Sequence, residues 1–138
     1  MGKISKKSEK KSRFEAEQIK GDFNQCKLKL SFEFLSGDHC ISMCQQKEKA
    51  EVIDSLHRIS KYTWRDCIQL GKSGCGYEQL DRSQIKCTIP RDDFFKNLDK
   101  VTVFHRKKKI PIVGFRIQDT FYIFCIDRRF DAYEHGGS

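Results

Sequence analysis

The chain has 138 residues, of which 38% are hydrophobic and 33% charged, with a formal net charge of +8. Its eleven Phe, four Tyr and one Trp can build a packed core, and they exclude wholesale disorder, since disordered chains are poor in aromatics. No apolar run approaches the ~20 residues of a membrane helix, and no apolar segment follows the basic N-terminus as in a secretory signal. A soluble cytoplasmic protein with no membrane partner is therefore expected.

Residues 1–20 carry seven Lys or Arg against three Glu, interspersed with Ser. Residues 1–22 read as a basic, flexible tail in which Phe14 to Ile19 has the pattern of a helical turn, and residues 23–138 as a single α+β domain. From Cys26 to Leu35, Leu28, Leu30, Phe32 and Phe34 alternate with Lys27, Lys29, Ser31 and Glu33, the period of a half-buried strand. Ser36-Gly37-Asp38 supplies a turn. Over residues 45–60, Ala50, Ile53, Leu56 and Ile59 recur every third position, which predicts an amphipathic helix. Thr63 is placed to cap a second helix, with Trp64, Cys67 and Ile68 towards the core and Gly71 and Gly74 ending it.

The segment from Gly74 to Pro90 is ambiguous: Ile85, Cys87 and Ile89 alternate like a short strand that Pro90 closes. Asp92 to Leu98 has the look of another helical turn. Three strands follow, Val101–His105, Ile110–Ile117 and Thr120–Ile126, the last two joined by a turn at Gln118-Asp119. Because TFYIFCI is apolar on both faces, its strand belongs inside the sheet. The expected architecture is a strand, two helices, then an antiparallel sheet of three to four strands with the helices on one face.

Residues 100–118 hold six Lys or Arg and no acid. Four of those cations, Arg106, Lys107, Lys108 and Lys109, fall together between two strands, a pattern that suits a nucleic-acid backbone. Arg116 interrupts the apolar pattern on the face it shares with Ile112 and Gly114. Immediately after the last strand comes DRRFDAYEH, residues 127–135. Arg neutralises phosphate in a fork geometry, His moves protons near pH 7, and Tyr stacks on a base or donates a hydrogen bond.

Seven cysteines, an odd number without a signal peptide, fit reduced thiols better than a disulfide scaffold. Asp38-His39-Cys40 with Cys44, and with Cys75 or Cys87 as a further ligand, has only one C-x3-C and no matching pair, so neither a metal nor another cofactor is expected. GKSGCG at 71–76 lacks the order of a phosphate-binding loop, and no Cys sits in a nucleophile motif; Cys125 reads as structural.

The element order and the Tyr/His-bearing C-terminus are similar to those of the RelE/YoeB-like bacterial toxins. The stretches TWRDCIQLGKSGCGYEQL and GFRIQDTFYIFCIDRRFDAYEHG also resemble small uncharacterised proteins of bacteria and their phages. The toxin resemblance implies a small basic domain that enters the ribosomal A site and cleaves messenger RNA without a metal, with an antitoxin as partner. It implies catalytic roles for Arg116, Arg128, Tyr133 and His135, and RNA contacts from Arg106, Lys107, Lys108 and Lys109. Two other readings fit the same residues: an interaction module of a phage or mobile element that binds a host protein through an aromatic sheet face, and a nucleic-acid-binding domain without catalysis.

Overall fold

The computed structural model describes residues 23–135; the predicted tail at 1–22, with its helical turn, lies outside the described residues. Seven elements carry the architecture: β1 (Lys29–Ser31), α1 (Gln46–Ile59), α2 (Trp64–Gly74), β2 (Tyr77–Asp81), β3 (Lys100–Phe104), β4 (Ile112–Ile117) and β5 (Thr120–Ile126). The strands make one open sheet in the order β1-β5-β4-β3-β2. The class is α+β, as the patterning predicts, but the sheet has five strands and is mixed. β1 runs parallel to β5, Leu30 opposite Phe121, while every other pairing is antiparallel. The long stretch between them, with both helices and three further strands, allows the chain to return in the same direction.

α1 buries Val52, Ser55, Leu56 and Ile59, and leaves Ile53 and Ala50 exposed. The predicted stripe fails for a geometric reason. A strict three-residue spacing drifts around a 3.6-residue helix, whereas positions i, i+3, i+4 and i+7 stay on one face. α2 begins as expected: Thr63 Oγ1 accepts from Asp66 N at 3.0 Å, and Asp66 Oδ2 accepts from Thr63 N at 3.0 Å. Trp64 and Cys67 are buried, but Ile68 is exposed. Gly71 breaks the helix at φ 64°, and one more turn carries it to Gly74.

The sheet is covered on both faces. Helix residues Val52, Leu56, Ile59, Trp64 and Cys67 pack with Phe104, Ile112, Phe121, Ile123 and Ile126. On the opposite face, Phe95, Val101, Val103, Val113, Phe115, Phe124, Cys125, Ala132 and Tyr133 form a second core. Among the described residues no α-helix seals that side. The irregular segment between β2 and β3 lies over it, with Ile85, Cys87 and Ile89 half-buried, and the C-terminal segment adds Ala132 and Tyr133. The alternation at Ile85–Ile89 therefore marks inward-pointing loop residues and not a strand; the ladder partner of β3 is instead Tyr77–Asp81. The predicted turn near Asp92 exists as a single 3-10 turn, Asp93–Phe95, whose Phe95 is fully buried.

The first strand is shorter than its ten-residue pattern. β1 ends at Ser31, Phe32 is exposed, and Phe34 joins the second core, with its ring centroid 4.6 Å from that of Phe95. Within the β4–β5 pair, Val113 faces Cys125 and Gly114 faces Ile123, so Phe124 is an extra residue in β5. A Cβ at Gly114 would lie 2.4 Å from the Tyr122 carbonyl oxygen and 2.7 Å from Phe121 Cε1, so only glycine fits beside this bulge.

Candidate functional site

The end of the sheet where β3 leaves, β4 enters and β5 leaves gathers most of the residues singled out by the sequence. Arg106 to Lys109 form the β3–β4 turn, closed by a hydrogen bond from Lys109 N to Arg106 O at 3.0 Å, with Lys108 at φ 65°. All four side chains are exposed. The turn is anchored from α1, because Glu51 Oε2 accepts from Ile110 N at 2.7 Å. Immediately before it stands His105, whose N–H donates to Gly76 O at 2.9 Å. Gly76, at φ 85°, permits that approach: a Cβ there would come within 2.8 Å of the His105 backbone.

β5 delivers the C-terminal segment to the same place. Asp127 is fully buried and organises it: Oδ1 accepts from Asp131 N at 2.9 Å, Oδ2 accepts from Ala132 N at 3.1 Å, and His135 Nε2 lies 3.3 Å from Oδ2. With Ala132 and Tyr133 held in the second core, the Tyr133 hydroxyl reaches His105 Nδ1 at 3.4 Å. The His105 and His135 rings meet edge to face at 5.5 Å, and Tyr133 lies 4.1 Å from His135. The result is a compact group of two histidines, a tyrosine and a buried carboxylate beside a four-cation turn.

Burial first, and then the neighbouring His135, lower the His105 pKa below its ordinary value of 6.5. Burial raises the Tyr133 hydroxyl well above the usual tyrosine range, with Glu78 and Asp127 adding to it. Tyr133 is therefore a neutral hydrogen-bonding group at physiological pH.

This end also concentrates polar irregularity. Among the described residues, three buried side-chain nitrogens have no hydrogen-bond partner, Arg58 Nε, His105 Nε2 and Arg128 Nε. His105 and Arg128 flank the turn and the β5 exit, and Arg58, on the last turn of α1, is close enough to Arg106 for their charges to repel. Of the three described non-glycine residues with left-handed backbone, Lys108 and Phe130 are here and Gln118 is in the β4–β5 turn. Unpartnered buried groups and left-handed backbone are observations from which a functional hypothesis can start.

Arg116 does not join the group. The register places it opposite Phe121, towards the β4–β5 hairpin, whereas Ile126, which leads into Asp127, faces Ile112 at the other end. Its guanidinium lies 4.3 Å from the Trp64 ring centroid, and its Nε donates to Gln118 O at 2.8 Å. The alternation that makes Arg116 conspicuous carries it to the helix-covered face, where Trp64 supplies a π surface. Of the four positions to which the resemblance gives catalytic roles, Tyr133 and His135 are brought together, Arg128 stands at the β5 exit with its charge acting on Cys44, and Arg116 is set apart. His105, Asp127 and Phe130 complete the neighbourhood; their signal was proximity, one preceding the basic turn and two inside DRRFDAYEH.

One grouping of metal-ligand types occurs among the described residues: ligand atoms of His39, Asp127 and Asp131 lie within 4.8 Å of one another. It does not include Cys40 or Cys44. His39 Nε2 and Asp131 Oδ1 satisfy each other at 2.9 Å, and the Asp127 oxygens are engaged as described above. Beside His39 a cleft of about 620 Å³ runs between residues 33–39 and 86–92, over Phe124. Its rim mixes Glu33, Asp38 and Asp92 with Lys86, so it lacks the positive character of the β3–β4 turn. No helix among the described residues is long and apolar enough to cross a membrane. Comparison with protein-family models, curated proteins and solved structures finds no match to the chain.

Proposed function

We propose that this protein acts on RNA as a metal-independent endoribonuclease of the toxin type implied by its resemblance to the RelE/YoeB-like proteins. The observation that carries the proposal is the meeting of His105, Tyr133, His135 and Asp127 at the sheet end that also bears Arg106 to Lys109. Cleavage of a ribonucleotide chain without a metal needs a base to take the proton of the 2′-hydroxyl and an acid to protonate the departing 5′-oxygen. It also needs positive charge on the phosphate between them. Two histidines 5.5 Å apart supply a proton acceptor and a proton donor within the span of one phosphodiester.

In this reading His105, favoured neutral by its burial, takes the 2′-hydroxyl proton. His135 delivers a proton to the leaving oxygen, and Asp127, against its Nε2, compensates the imidazolium charge and fixes the ring. Tyr133 holds His105 in orientation, Lys107 to Lys109 bind flanking phosphates, and Arg128, at the β5 exit, is the cation assigned to the charge that develops on phosphorus. The products would be a 2′,3′-cyclic phosphate and a free 5′-hydroxyl.

The test is incubation of end-labelled RNA, free and ribosome-bound, with the wild-type protein and with His105→Ala and His135→Ala, all in excess EDTA. Cuts ending in cyclic phosphate and lost in both variants support the reading. Intact RNA in both settings refutes it. One observation favours the interaction-module reading instead: Phe94 is 51% exposed while its ring packs on Phe34 and Tyr122, an aromatic surface away from the basic turn. Stable capture of a host protein that Phe94→Ser abolishes, with RNA left intact, would select that alternative.

A further inference from the structure

Phe130 combines two costs that its fold does not require. Its backbone sits at φ 56°, where a side chain is strained by roughly 1–2 kcal/mol and glycine or asparagine is the ordinary occupant. The residue is nevertheless 43% exposed, at the closing position of a tight turn in which Phe130 N donates to Asp127 O at 3.1 Å. A glycine would make the same turn without strain. The backbone therefore holds an aromatic ring outward at a position where nothing in the core asks for one.

The surroundings say what that ring is for. Its inner side rests on two histidines, with centroids 5.9 Å from His105 and 5.7 Å from His135, so its orientation is fixed. Arg128 and Arg129 precede it in the chain, and the cations of the β3–β4 turn follow directly on His105. An exposed ring fixed beside the proposed reacting groups, directly after Arg128 and Arg129 in the chain and against the histidine that precedes the basic turn, matches the chemistry of an unpaired nucleobase, whose face stacks while its phosphates are neutralised nearby.

We infer that Phe130 is a stacking platform for an unpaired base next to the scissile phosphate, so that the protein takes single-stranded rather than duplex RNA. The inference rests on the RNA reading above and adds to it a base-binding residue and a strand preference.

The experiment uses the full chain and an eight-residue 2′-O-methyl RNA, which the proposed chemistry cannot cut, carrying one 2-aminopurine at successive positions. Wild type should quench the 2-aminopurine at one or two positions and bind the same strand more weakly when it is paired to a complement. Phe130→Gly and Phe130→Asn, both able to adopt the left-handed turn, should keep their thermal unfolding midpoint close to wild type. They should lose the quench and bind roughly 5- to 150-fold more weakly, the range expected for one stacked base. Phe130→Trp should retain both. Unchanged affinity and quenching in the Gly and Asn variants overturns the inference and leaves the RNA reading standing. Equal affinity of wild type for single strand and duplex does the same. Absence of any binding by wild type overturns both, and the two failures are thereby told apart.

Discussion

Replacing Asp127 separates its role in holding the C-terminal segment from any role in chemistry. The carboxylate is fully buried and accepts from two backbone amides, at 2.9 and 3.1 Å, with His135 Nε2 at 3.3 Å. Asp127→Ala leaves both amides without an acceptor, and a buried donor left unmade costs about 1–3 kcal/mol. Adding a smaller loss at His135 gives about 3–5 kcal/mol in total. Asp127→Asn keeps the volume and one carbonyl oxygen, but turns an NH2 towards one of the amides; a single lost bond predicts about 1–3 kcal/mol. The segment cannot simply fray, because Ala132 and Tyr133 are built into the second core. The loss should therefore appear as global destabilisation. Urea unfolding followed by the fluorescence of the single, fully buried Trp64 measures it, with the alanine variant losing clearly more than the asparagine variant and the m-value unchanged. An alanine variant within about 1 kcal/mol of wild type would refute the anchoring role. So would equal losses in the two variants.

Gly114→Ala should be among the most damaging single changes, because its Cβ would meet the Tyr122 carbonyl oxygen and the Phe121 ring and neither can withdraw; a loss of about 3 kcal/mol or more is expected as a lowered thermal midpoint. Cys40, whose pKa is lowered first by the Ser42 side chain, should alkylate early, whereas Cys67, pushed up to about 12 mainly by burial, should react late. Peptide mass spectrometry after brief iodoacetamide treatment at pH 7.5 checks this, and equal labelling of the two in native protein would contradict it. His105 is held neutral by the fold, so the unfolded chain takes up its proton first, and stability should fall as pH drops below about 6.5 towards the lower folded value. Urea midpoints between pH 7.5 and 5 should fall less steeply in His105→Gln than in wild type; parallel slopes would show that His105 does not carry the effect.

How much of this was legible in the sequence depended on the kind of signal. Helix α2 was legible because Thr63 and Asp66 form a local capping box that acts within four residues. Strands β4 and β5 were legible because a continuous apolar run bounded by a turn has few other solutions. Strand β2 was not, because YEQLD carries one strongly apolar residue and forms only when β3 offers its ladder. The segment at 85–89 misled in the opposite sense. Its alternation is real, but it arises from a loop that seals a sheet face which no α-helix of the described residues covers. At the candidate site, Arg128, Tyr133 and His135 were singled out because their residue types suit phosphate chemistry. Asp127 and His105 are defined by contacts 8 and 28 residues away in sequence, which composition cannot show. Arg116 was over-read for the same reason, since only the fold puts Trp64 beneath it.

The two ends of the sheet are built differently, and the contrast bears on function. At the β4–β5 hairpin the polar groups have partners: Arg116 stacks on Trp64, Trp64 Nε1 donates to Asp119 O at 2.9 Å, and Lys29 pairs with Asp119 at 3.2 Å. At the other end Arg58 and Arg106 repel and three buried side-chain nitrogens lack hydrogen-bond partners; left-handed backbone occurs at both ends, at Lys108 and Phe130 here and at Gln118 in the hairpin. Both ends are made from the same strands, so the difference does not come from the architecture. Local rules hold where packing alone is at stake and yield where another demand acts on the same residues. An anion seated against the turn would offset the repulsion between cations, and a base stacked on Phe130 would cover its exposed ring. Under the proposed RNA function, binding of RNA at the β3–β4 end should stabilise the protein by mass action. A rise in the unfolding midpoint with added single-stranded RNA, abolished when Arg106 to Lys109 are replaced by Ser, would tie that excess charge to its ligand.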